Sequence, residues 1–520
     1  MLSRVQVILG HQSQLNKKKL KKLLIGAHLG LHDLNVSLYD GIDFKFCHYE
    51  RHSTVKNACL PTLDDAGSFI KECVEFYGYS HHDIKAIACT IGERHDVSVF
   101  LQDKKTLVAK NNIFQDVEKS FQLDHHYAHA LSSFPLLETD NHYVTDGHGD
   151  WHKYLSIIKN NQLHDYLEEG INGNSFGGLL QQLCLQQGYA WNDAGKLMAL
   201  VGFGKVDEEY INRFKNQDLK NSHVYSQSRE FLRYSYHKGL RKDLYSFNNR
   251  SNFITTLHKL YEQKFLDFLN NYFNEKDVFS YSGGIAQSIV LNTSYKKKFP
   301  NMVIIPHAND SGLSLGCIEW LRKHYQYDPI NMDAFPFIQA DEHPGEVSQN
   351  TIKKTAEFLA NGKIVLWYQG HGEIGPRALG NRSILMNPLG DKNILNEKVK
   401  KREWYRPYGA SVTVEDYRKY FDLDWESPYM LYNSEVKDKE KFKCITHVDG
   451  TCRIQTVSQD HRVYHELLTE FKKLTGFPIL LNTSFNIQGK AIVGTKKQAK
   501  IMFDNSDADI LVIGDNIYVK

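Results

Sequence analysis

The 520-residue sequence lacks any apolar run near the eighteen or so residues that a membrane-spanning helix needs, so no span is predicted. Its eight cysteines form no Cys-x-x-Cys pair, which argues against a zinc ribbon or a disulfide framework. We therefore expect reduced thiols in a cytoplasmic protein. A Walker A lysine motif and the spaced glycines of a Rossmann fingerprint are also absent, which excludes both common nucleotide-binding motifs.

The sequence also lacks an excess of charge of one sign, because the formal net charge is only +2. This balance argues against a protein that binds a polyanion over its whole surface. A local basic tract, Lys17 to Lys22, lies in an N-terminal arm of residues 1–22. It could touch nucleic acid, but a solvated arm is the preferred interpretation.

The composition, 41% hydrophobic and 24% charged, is typical of a folded soluble protein. A chain of this length predicts two or three domains. Strand-like apolar runs begin at residues 23, 84, 278, 302, 364, 479 and 510. Helical patterns lie between many of them, for example from Phe253 to Phe273 and from Val347 to Leu359. This alternation predicts an α/β fold.

The stretch from Tyr325 to Glu346 has little periodicity and contains three prolines. It predicts the main domain boundary, near residue 345.

Two histidines four residues apart, His125 and His129, follow Asp124, a candidate helix N-cap. The spacing puts both imidazoles on one helix face, as a metal site requires. By itself such a pair more often has a packing or surface role, and His126 makes the choice of ligand ambiguous. Asp146 and Asp310 both follow strand-like runs and lie beside glycine, where α/β folds place ligands. The four residues together favour a metal site for Fe(II), Mn or Zn.

Three glycine-containing segments predict anion contacts. The segment from His371 to Ser383 follows an apolar run and carries Arg377 and Arg382, and its glycines allow close backbone approach. Ser282, Gly283 and Gly284 follow another run and are expected to open a helix, whose N-terminal amides would favour a phosphate or ribose. The loop from Gly26 to Asp33 has the same character but is weak support alone.

Basic side chains are densest between Lys398 and Arg406, where Trp404, Tyr405 and Tyr408 are interleaved with them. The aromatics indicate partial burial, and buried cations require an anionic partner. Arg453 lies beside a turn, and Asn482, Ser484 and Asn486 end a strand-like run. These residues favour an anion-binding pocket over a solvated basic surface.

The motifs, in their order along residues 23 to 520, resemble the O-carbamoyltransferases of nodulation-factor, cephamycin and tobramycin biosynthesis. The first half of the match comprises Leu-His32-Asp33, Glu50-Arg51…Lys56, His125-His-Tyr-Ala-His129, Asp146-Gly, Asn174-Ser-Phe-Gly, Gly195-Lys196-Leu-Met, Ser282-Gly-Gly and Asp310-Ser-Gly. The second half comprises Gly375-Pro-Arg-Ala-Leu-Gly-Asn-Arg-Ser, Lys400-Lys-Arg-Glu…Arg406-Pro, Asp449-Gly-Thr…Arg453 and Asn482-Thr-Ser-Phe-Asn.

This resemblance implies a two-part, ATP-dependent enzyme. Residues 23–345 would form an actin/sugar-kinase/Hsp70-type (ASKHA) domain like that of the tRNA threonylcarbamoyl transferases. Residues 346–520 would form a YrdC-like α/β domain that makes carbamoyl adenylate from carbamoyl phosphate and ATP, with Mg²⁺. The first domain would pass the carbamoyl group to an acceptor hydroxyl on a sugar, an antibiotic or another small molecule.

The resemblance also implies roles for individual residues. His125, His129, Asp146 and Asp310 would hold the metal. Transfer to a hydroxyl also needs a general base, and our own candidates for it are His32 and Asp33. Lys400, Arg406, Arg453 and Ser484 would bind carbamoyl phosphate and the ATP phosphates. Further candidates for substrate or nucleotide contacts are Lys196, Ser282, Gly283, Gly284, Asn292, Arg377, Arg382, Ser383, Arg402, Asn482 and Asn486.

Two alternatives remain at this stage. The acceptor could be a nucleic acid, either a hydroxymethyl base in DNA or a tRNA. The chain could instead be a noncatalytic nucleotide sensor with an actin-like cleft, although the arginines at 377, 382, 402, 406 and 453 weigh against that. A homodimer is possible, and no membrane partner is expected.

Overall fold

The computed structural model describes residues 22–92, 100–114, 117, 119–168, 175–214 and 246–520. Of the predicted N-terminal arm, only Lys22 is among them, so the rest of the basic tract, residues 17–21, lies outside the described residues. Within these ranges no helix combines the length and the apolar character needed to cross a membrane.

Two sheets are built from the first 304 residues. The strands of the first sheet are Leu23–His28 (β1), Asn35–Tyr39 (β2), Phe44–His48 (β3), Ile84–Thr90 (β4), Val108–Lys110 (β5) and Ser120–Leu123 (β6). Those of the second sheet are Asn141–Thr145 (β7), Lys153–Lys159 (β8), Gln162–Glu168 (β9), Phe279–Ser282 (β10) and Met302–Ile304 (β11).

These two sheets repeat one topology. In each, three consecutive strands form an antiparallel meander, β1–β2–β3 and β7–β8–β9. The first strand of each meander also pairs in parallel with a later strand, β4 or β10, and that strand pairs in parallel with β6 or β11. The α/β prediction is thereby confirmed, and a duplicated sheet of this order agrees with the expected actin/sugar-kinase/Hsp70-type first part.

The third sheet contains only strands that follow residue 364. They are Val365–Tyr368 (β12), Arg382–Met386 (β13), Gly409–Thr413 (β14), Phe421–Asp422 (β15), Tyr432–Val436 (β16), Thr451–Val457 (β17), Ile479–Ser484 (β18), Ile510–Ile513 (β19) and Asn516–Val519 (β20). Their order is β15-β16-β17-β14-β18-β13-β12-β19-β20, with mixed directions. Its hydrophobic core has buried members only between residues 352 and 513. The boundary near residue 345 and the YrdC-like assignment stay predictions.

Helices cover the sheets and connect their strands. Those of the first 324 residues are Tyr49–Ser53 (α1), Leu63–Phe76 (α2), His125–Leu131 (α3), Phe176–Gln186 (α4), Ala194–Met198 (α5), Glu208–Phe214 (α6), Phe247–Leu269 (α7), Ile289–Lys298 (α8) and Leu313–His324 (α9). The later ones are Gln349–Ala360 (α10), Lys392–Leu395 (α11), Tyr417–Tyr420 (α12), Arg462–Thr475 (α13) and Lys496–Asp504 (α14).

Helix α9 holds the first sheet and α3 together by close backbone contact. A Cβ atom on Gly26 of β1 would lie 2.2 Å from the Ser314 carbonyl oxygen, and one on Gly316 would lie 1.9 Å from the Ala128 carbonyl oxygen. Only glycine therefore fits at either position. This packing fixes α3, which carries two of the predicted metal ligands, against α9, which begins just after Asp310.

Asp124 anchors the start of α3, as predicted. Its side chain accepts a hydrogen bond from the Tyr127 amide at 3.1 Å, which caps the helix. The other carboxylate oxygen lies 2.6 Å from Lys153 Nζ, and both side chains are fully buried. The cap of the helix therefore depends on a buried ion pair.

We expect Lys153→Met to destabilise the first part by about 3–5 kcal/mol, because it leaves the Asp124 carboxylate buried without its cation. The midpoint of chemical unfolding, followed by fluorescence and circular dichroism, measures the effect. Lys298→Met is the matched control, since Lys298 pairs with Glu275 on the surface, where such a pair contributes about 0–1 kcal/mol. Equal midpoints for both variants would contradict this account.

Candidate active site

A cavity of about 830 Å³ is lined by residues from both the first two sheets and the third. One group of lining residues is acidic and histidine-rich and belongs to residues 23–345. Another group is cationic and belongs to residues 346–520. The sequence predicted both groups, and the structure brings them to one space.

His125, His129, Asp146 and Asp310 form a compact set, here named the His/Asp cluster, whose potential ligand atoms lie within 4.8 Å of one another. Asp146 follows β7 directly, Asp310 begins a short 3₁₀ turn after β11, and the histidines project from α3. Each histidine Nε2 lies between 2.9 and 3.6 Å from oxygens of the two aspartates.

The geometry of the His/Asp cluster fits a metal ion. A tetrahedral site with ligands at about 2.0 Å has ligand–ligand edges of about 3.3 Å, close to these separations. Both ring nitrogens of His125 and His129, and one oxygen of Asp146, are buried and make no well-aligned hydrogen bond with any described residue. Buried polar atoms of this kind call for a partner. His126 is not part of the set, since its Nδ1 lies 2.7 Å from Ser156 Oγ.

Two further histidines border the His/Asp cluster. His28 Nε2 and His32 Nε2 lie 3.5 and 3.6 Å from Asp310 Oδ2. Burial lowers the pKa of His28 to about 3, even though Asp310 acts against it. Burial also acts to lower the pKa of His32, but the carboxylates of Asp310 and Asp33 outweigh it and raise that pKa to about 9. A cation bound to Asp310 would cancel that carboxylate's charge and so bring the pKa of His32 back toward its usual range.

Asp33 orients His32 from behind. Its Oδ2 lies 2.9 Å from His32 Nδ1, and both carboxylate oxygens accept from the Asn57 side-chain amide. His48, whose Nε2 lies 3.5 Å from Asp33 Oδ1, packs behind it. Burial raises the pKa of Asp33, but hydrogen bonds from His32 and His48 lower it by more, so the carboxylate is ionised. Of the two predicted bases, His32 is the one placed toward the His/Asp cluster.

The cationic pocket comprises Arg377, Lys400, Arg402, Arg406 and Arg453, all of which line the cavity. Burial, together with a smaller contribution from neighbouring guanidiniums, lowers the pKa of Arg377 to about 10 and those of Arg402 and Arg453 to about 9. Cations brought together in this way are stabilised by an anion between them.

Lys400 is the most enclosed of the five cations. Its ammonium donates to the Ser484 and Asn486 main-chain carbonyls, each at 2.7 Å, and to Asn486 Oδ1 at 2.7 Å. Burial, then Arg402 and Arg406, lower its pKa well below the usual value. Ser484 and Asn486, two of the predicted binding residues, thus position the lysine. Asn482 also lines the cavity, and its amide donates to Ser411 Oγ at 2.9 Å.

The structure separates the two arginines of the glycine-containing segment. Arg377 lines the cavity, whereas Arg382 is fully buried, lies 2.8 Å from Asp341 and stacks 3.6 Å over the ring of Tyr368. Ser383 Oγ accepts from the Gly380 amide inside the same segment. Neither Arg382 nor Ser383 lines the cavity, so the expectation that they contact substrate is corrected: both hold the backbone of this segment.

The loop after β10 is corrected in a similar way. Gly283 precedes a 3₁₀ turn, Gly284–Gln287, and the following α-helix α8 begins only at Ile289. Gly284 lines the cavity, but Ser282, Gly283 and Asn292 do not. Asn292 instead donates to the Ala286 and Leu431 carbonyls in the interior.

Lys196, a further predicted binding residue, lines the cavity where its two sides meet. Its ammonium lies 2.9 Å from Asp193 and 3.0 Å from Glu403, and Glu403 is also 3.3 Å from Arg406. Glu403 therefore joins a cation of the first part to one of the second.

Some cavity residues carried no recognised signal in the sequence. His28 lies in a strand whose alternation predicts packing, and Trp191, whose indole meets the His32 ring edge-to-face at 5.0 Å, stands in a loop. His48 approaches the site because β3 runs beside β2. His447 is different, because it lies two residues before Asp449 of the Asp449-Gly-Thr motif. Its place beside that motif could have marked it as a site residue.

Comparison with known proteins finds two family models that match successive parts of the chain. The model of the carbamoyltransferase N-terminus matches residues 29–318, and that of the carbamoyltransferase C-terminus matches residues 356–520. The chain belongs to the carbamoyltransferase family. It is thus an enzyme of a family that transfers carbamoyl groups, and the resemblance inferred from the sequence is confirmed.

Several curated relatives are similar along much of this carbamoyltransferase. The 3'-hydroxymethylcephem-O-carbamoyltransferase of Amycolatopsis lactamdurans is 31% identical, over 63% of this chain and 65% of its own length. Nodulation protein NolNO of Sinorhizobium fredii is 28% identical, over 76% of this chain and 64% of its own. The chain thus spans slightly less than two thirds of either relative. An uncharacterised Methanocaldococcus jannaschii protein, MJ1058, is 27% identical, over 77% of this chain and 75% of its own length.

Among solved structures, component A of the (R)-2-hydroxyglutaryl-CoA dehydratase of Acidaminococcus fermentans superposes with a TM-score of 0.37 at 13% identity. The match covers 59% of this chain and all of that one. A likeness at this level has no bearing on the activity of this carbamoyltransferase.

We expect His129→Ala to lower the bound content of a transition metal at least about tenfold, because it removes one of four ligands in a buried site. Elemental analysis of purified protein measures the content. His126→Gln is the control, because His126 lies on the same helix but bonds to Ser156. Full metal content in the alanine variant, or loss in the control, would show that these four residues are not the ligands.

Proposed function

We propose that this carbamoyltransferase makes carbamoyl adenylate from carbamoyl phosphate and ATP and passes the carbamoyl group to an acceptor hydroxyl. The observation that carries the proposal is one cavity lined by the cationic pocket and by three members of the His/Asp cluster, His125, Asp146 and Asp310. A cationic pocket suits phosphates, and a His/Asp cluster suits a carbonyl that must be made electrophilic. We assign the first role to a YrdC-like part, residues 346–520, and the second to residues 23–345.

The donor step belongs to the cationic pocket. In the net reaction, carbamoyl phosphate, ATP and one water give carbamoyl adenylate, pyrophosphate and inorganic phosphate. A carbamate oxygen bonds to the α-phosphorus of ATP as the bond to pyrophosphate breaks. Lys400, Arg406 and Arg453 bind the phosphates and offset the negative charge that builds on the leaving pyrophosphate. Mg²⁺ accompanies the ATP.

The transfer step belongs to the His/Asp cluster and its neighbours. A divalent Fe, Mn or Zn ion held by these four residues would supply Lewis acidity toward the carbamoyl carbonyl. The acceptor hydroxyl oxygen bonds to the carbamoyl carbon, and AMP leaves with the electron pair of the broken bond. His32, oriented by Asp33, takes the hydroxyl proton at Nε2.

Enclosure makes the two steps compatible. A carbamoyl adenylate is a mixed anhydride, which water destroys. Because the cationic pocket and three members of the His/Asp cluster line one cavity, the intermediate has a direct path between them, which limits its exposure to water. Lys196 and Glu403 close the contact between the two sides.

We expect Arg406→Ala to abolish carbamoyl-phosphate-dependent pyrophosphate release and His129→Ala to preserve it. The reason is that Arg406 lines the cationic side of the cavity, whereas His129 belongs to the His/Asp cluster at the other side. Carbamoylated product, detected by mass spectrometry, should be lost in both variants. Arg418→Ala is the control arginine, since Arg418 bonds to the Asp424 carbonyl outside the cavity. Identical behaviour of the two site variants would refute this division of labour.

The acceptor is best identified by direct screening. We expect a mass gain of one carbamoyl group on a hydroxylated small molecule, tested across sugars, aminoglycosides, cephems and hydroxymethylated DNA. The dependence of activity on salt distinguishes a nucleic-acid acceptor from a small-molecule acceptor. The affinity for a polynucleotide falls steeply with ionic strength, whereas that for a neutral small molecule does not. Modification of DNA alone, with steep salt dependence, would replace the small-molecule assignment by a nucleic-acid one.

A further inference from the structure

A tight turn brings a histidine and an aspartate together beside the cationic pocket. The Gly450 amide donates to the His447 carbonyl at 2.9 Å, and the His447 amide donates to the Thr451 carbonyl at 2.8 Å. The turn places His447 Nδ1 3.4 Å from Asp449 Oδ1. Asp449 is held in turn by the Thr451 amide and hydroxyl, at 2.9 and 2.7 Å. The pair is therefore built into the backbone just before β17.

The His447 imidazole also contacts residues of the first part of the chain. A Cβ atom on Gly202 would lie 2.5 Å from two ring atoms of His447, and Phe203 meets the ring edge-to-face at 5.2 Å. His447 is buried, and its Nε2 has no hydrogen-bond partner among the described residues. His447, Asp449 and Arg453 all line the cavity. An imidazole that contacts Asp449, Gly202 and Phe203, and that has one nitrogen without a partner among the described residues, therefore lines the same cavity as the cationic pocket.

Asp449 determines which nitrogen carries the proton. Burial raises its pKa, but hydrogen bonds from His447 and Thr451 lower it by more, so the carboxylate is ionised. It accepts the Nδ1 proton of a neutral imidazole, and Nε2 is left with a lone pair. The arrangement suits a proton acceptor.

The proton balance of the proposed reaction indicates which step needs a proton acceptor. When carbamate attacks ATP, no proton is released to the protein. Before that, carbamoyl phosphate must lose its phosphate to water, and the attacking water must give up a proton. Only this hydrolytic step on the cationic side requires a base, and His32 lies at the other end, beside the His/Asp cluster.

We propose that His447, oriented by Asp449, accepts the proton of the water that cleaves carbamoyl phosphate. The water oxygen bonds to phosphorus, the bond from phosphorus to the carbamoyl oxygen breaks, and carbamate leaves with that electron pair. The water proton goes to Nε2, and inorganic phosphate departs. This inference rests on the proposed function and adds a residue and a separate step to it.

Supplying carbamate directly tests the assignment, because carbamate bypasses the hydrolytic step. Pyrophosphate release from ATP is measured with either carbamoyl phosphate or ammonium carbamate as donor. We expect His447→Gln to slow the reaction with carbamoyl phosphate by about 100-fold or more. The rate with carbamate should stay within about twofold of the parent enzyme, since general-base loss leaves adenylation untouched. Normal carbamate turnover also demonstrates that the variant is folded.

Two matched variants sharpen the test. Gly202→Ala keeps both side chains of the dyad but displaces them, because its methyl group would lie 2.5 Å from the His447 ring and 2.9 Å from Asp449 Oδ2. It should lower only the rate with carbamoyl phosphate. His465→Gln removes a histidine–carboxylate pair, His465 with Glu415, outside the cavity and should change neither rate.

Equal losses with both donors in His447→Gln, or no loss with carbamoyl phosphate, would overturn the assignment. So would a parent enzyme that uses carbamoyl phosphate but not carbamate, because carbamate would then not be an intermediate. A parent enzyme inactive with both donors would overturn the proposed function itself.

Discussion

The close approach of helices α3 and α9 is the constraint on which the candidate site depends. Gly316 lets the two backbones meet where a methyl group could not fit, and Gly26 does the same between α9 and β1. As a result, the imidazoles of α3 and the carboxylate that precedes α9 stand within bonding distance of a common point. The cap at Asp124 and its buried lysine then fix where α3 begins. The His/Asp cluster is thus a product of backbone packing rather than of the four side chains alone.

The two ends of the cavity differ in the sign of their charge. One end gathers carboxylates and imidazoles, and the other gathers cations whose pKa values are lowered by burial and by one another. Anionic donors are drawn to the second end, while a cation is drawn to the first. This polarity gives the cavity a direction from donor to acceptor and is the physical basis for assigning different steps to its two ends.

The sequence was informative where the signal was local. Apolar runs located the strands that begin at Leu23, Ile84 and Ile510, and the spacing of His125 and His129 predicted one helix face. The role of Arg382 was mistaken because its partner, Asp341, lies in a proline-containing stretch with no periodic pattern. The same limit applies to His48, which reaches the site through strand pairing. Long-range partners are fixed by tertiary packing, which spacing along the chain does not encode.

Glu403 limits which substitutions the two halves of the chain can accept during evolution. One carboxylate is shared between Lys196 of the first half and Arg406 of the second, so each cation competes for the same negative charge. Replacing either cation would strengthen the attraction between Glu403 and the cation that remains, and so leave that cation less available to another anion. The two halves are therefore electrostatically tied, and transplanting one onto an unrelated partner would require this three-residue junction to move with it.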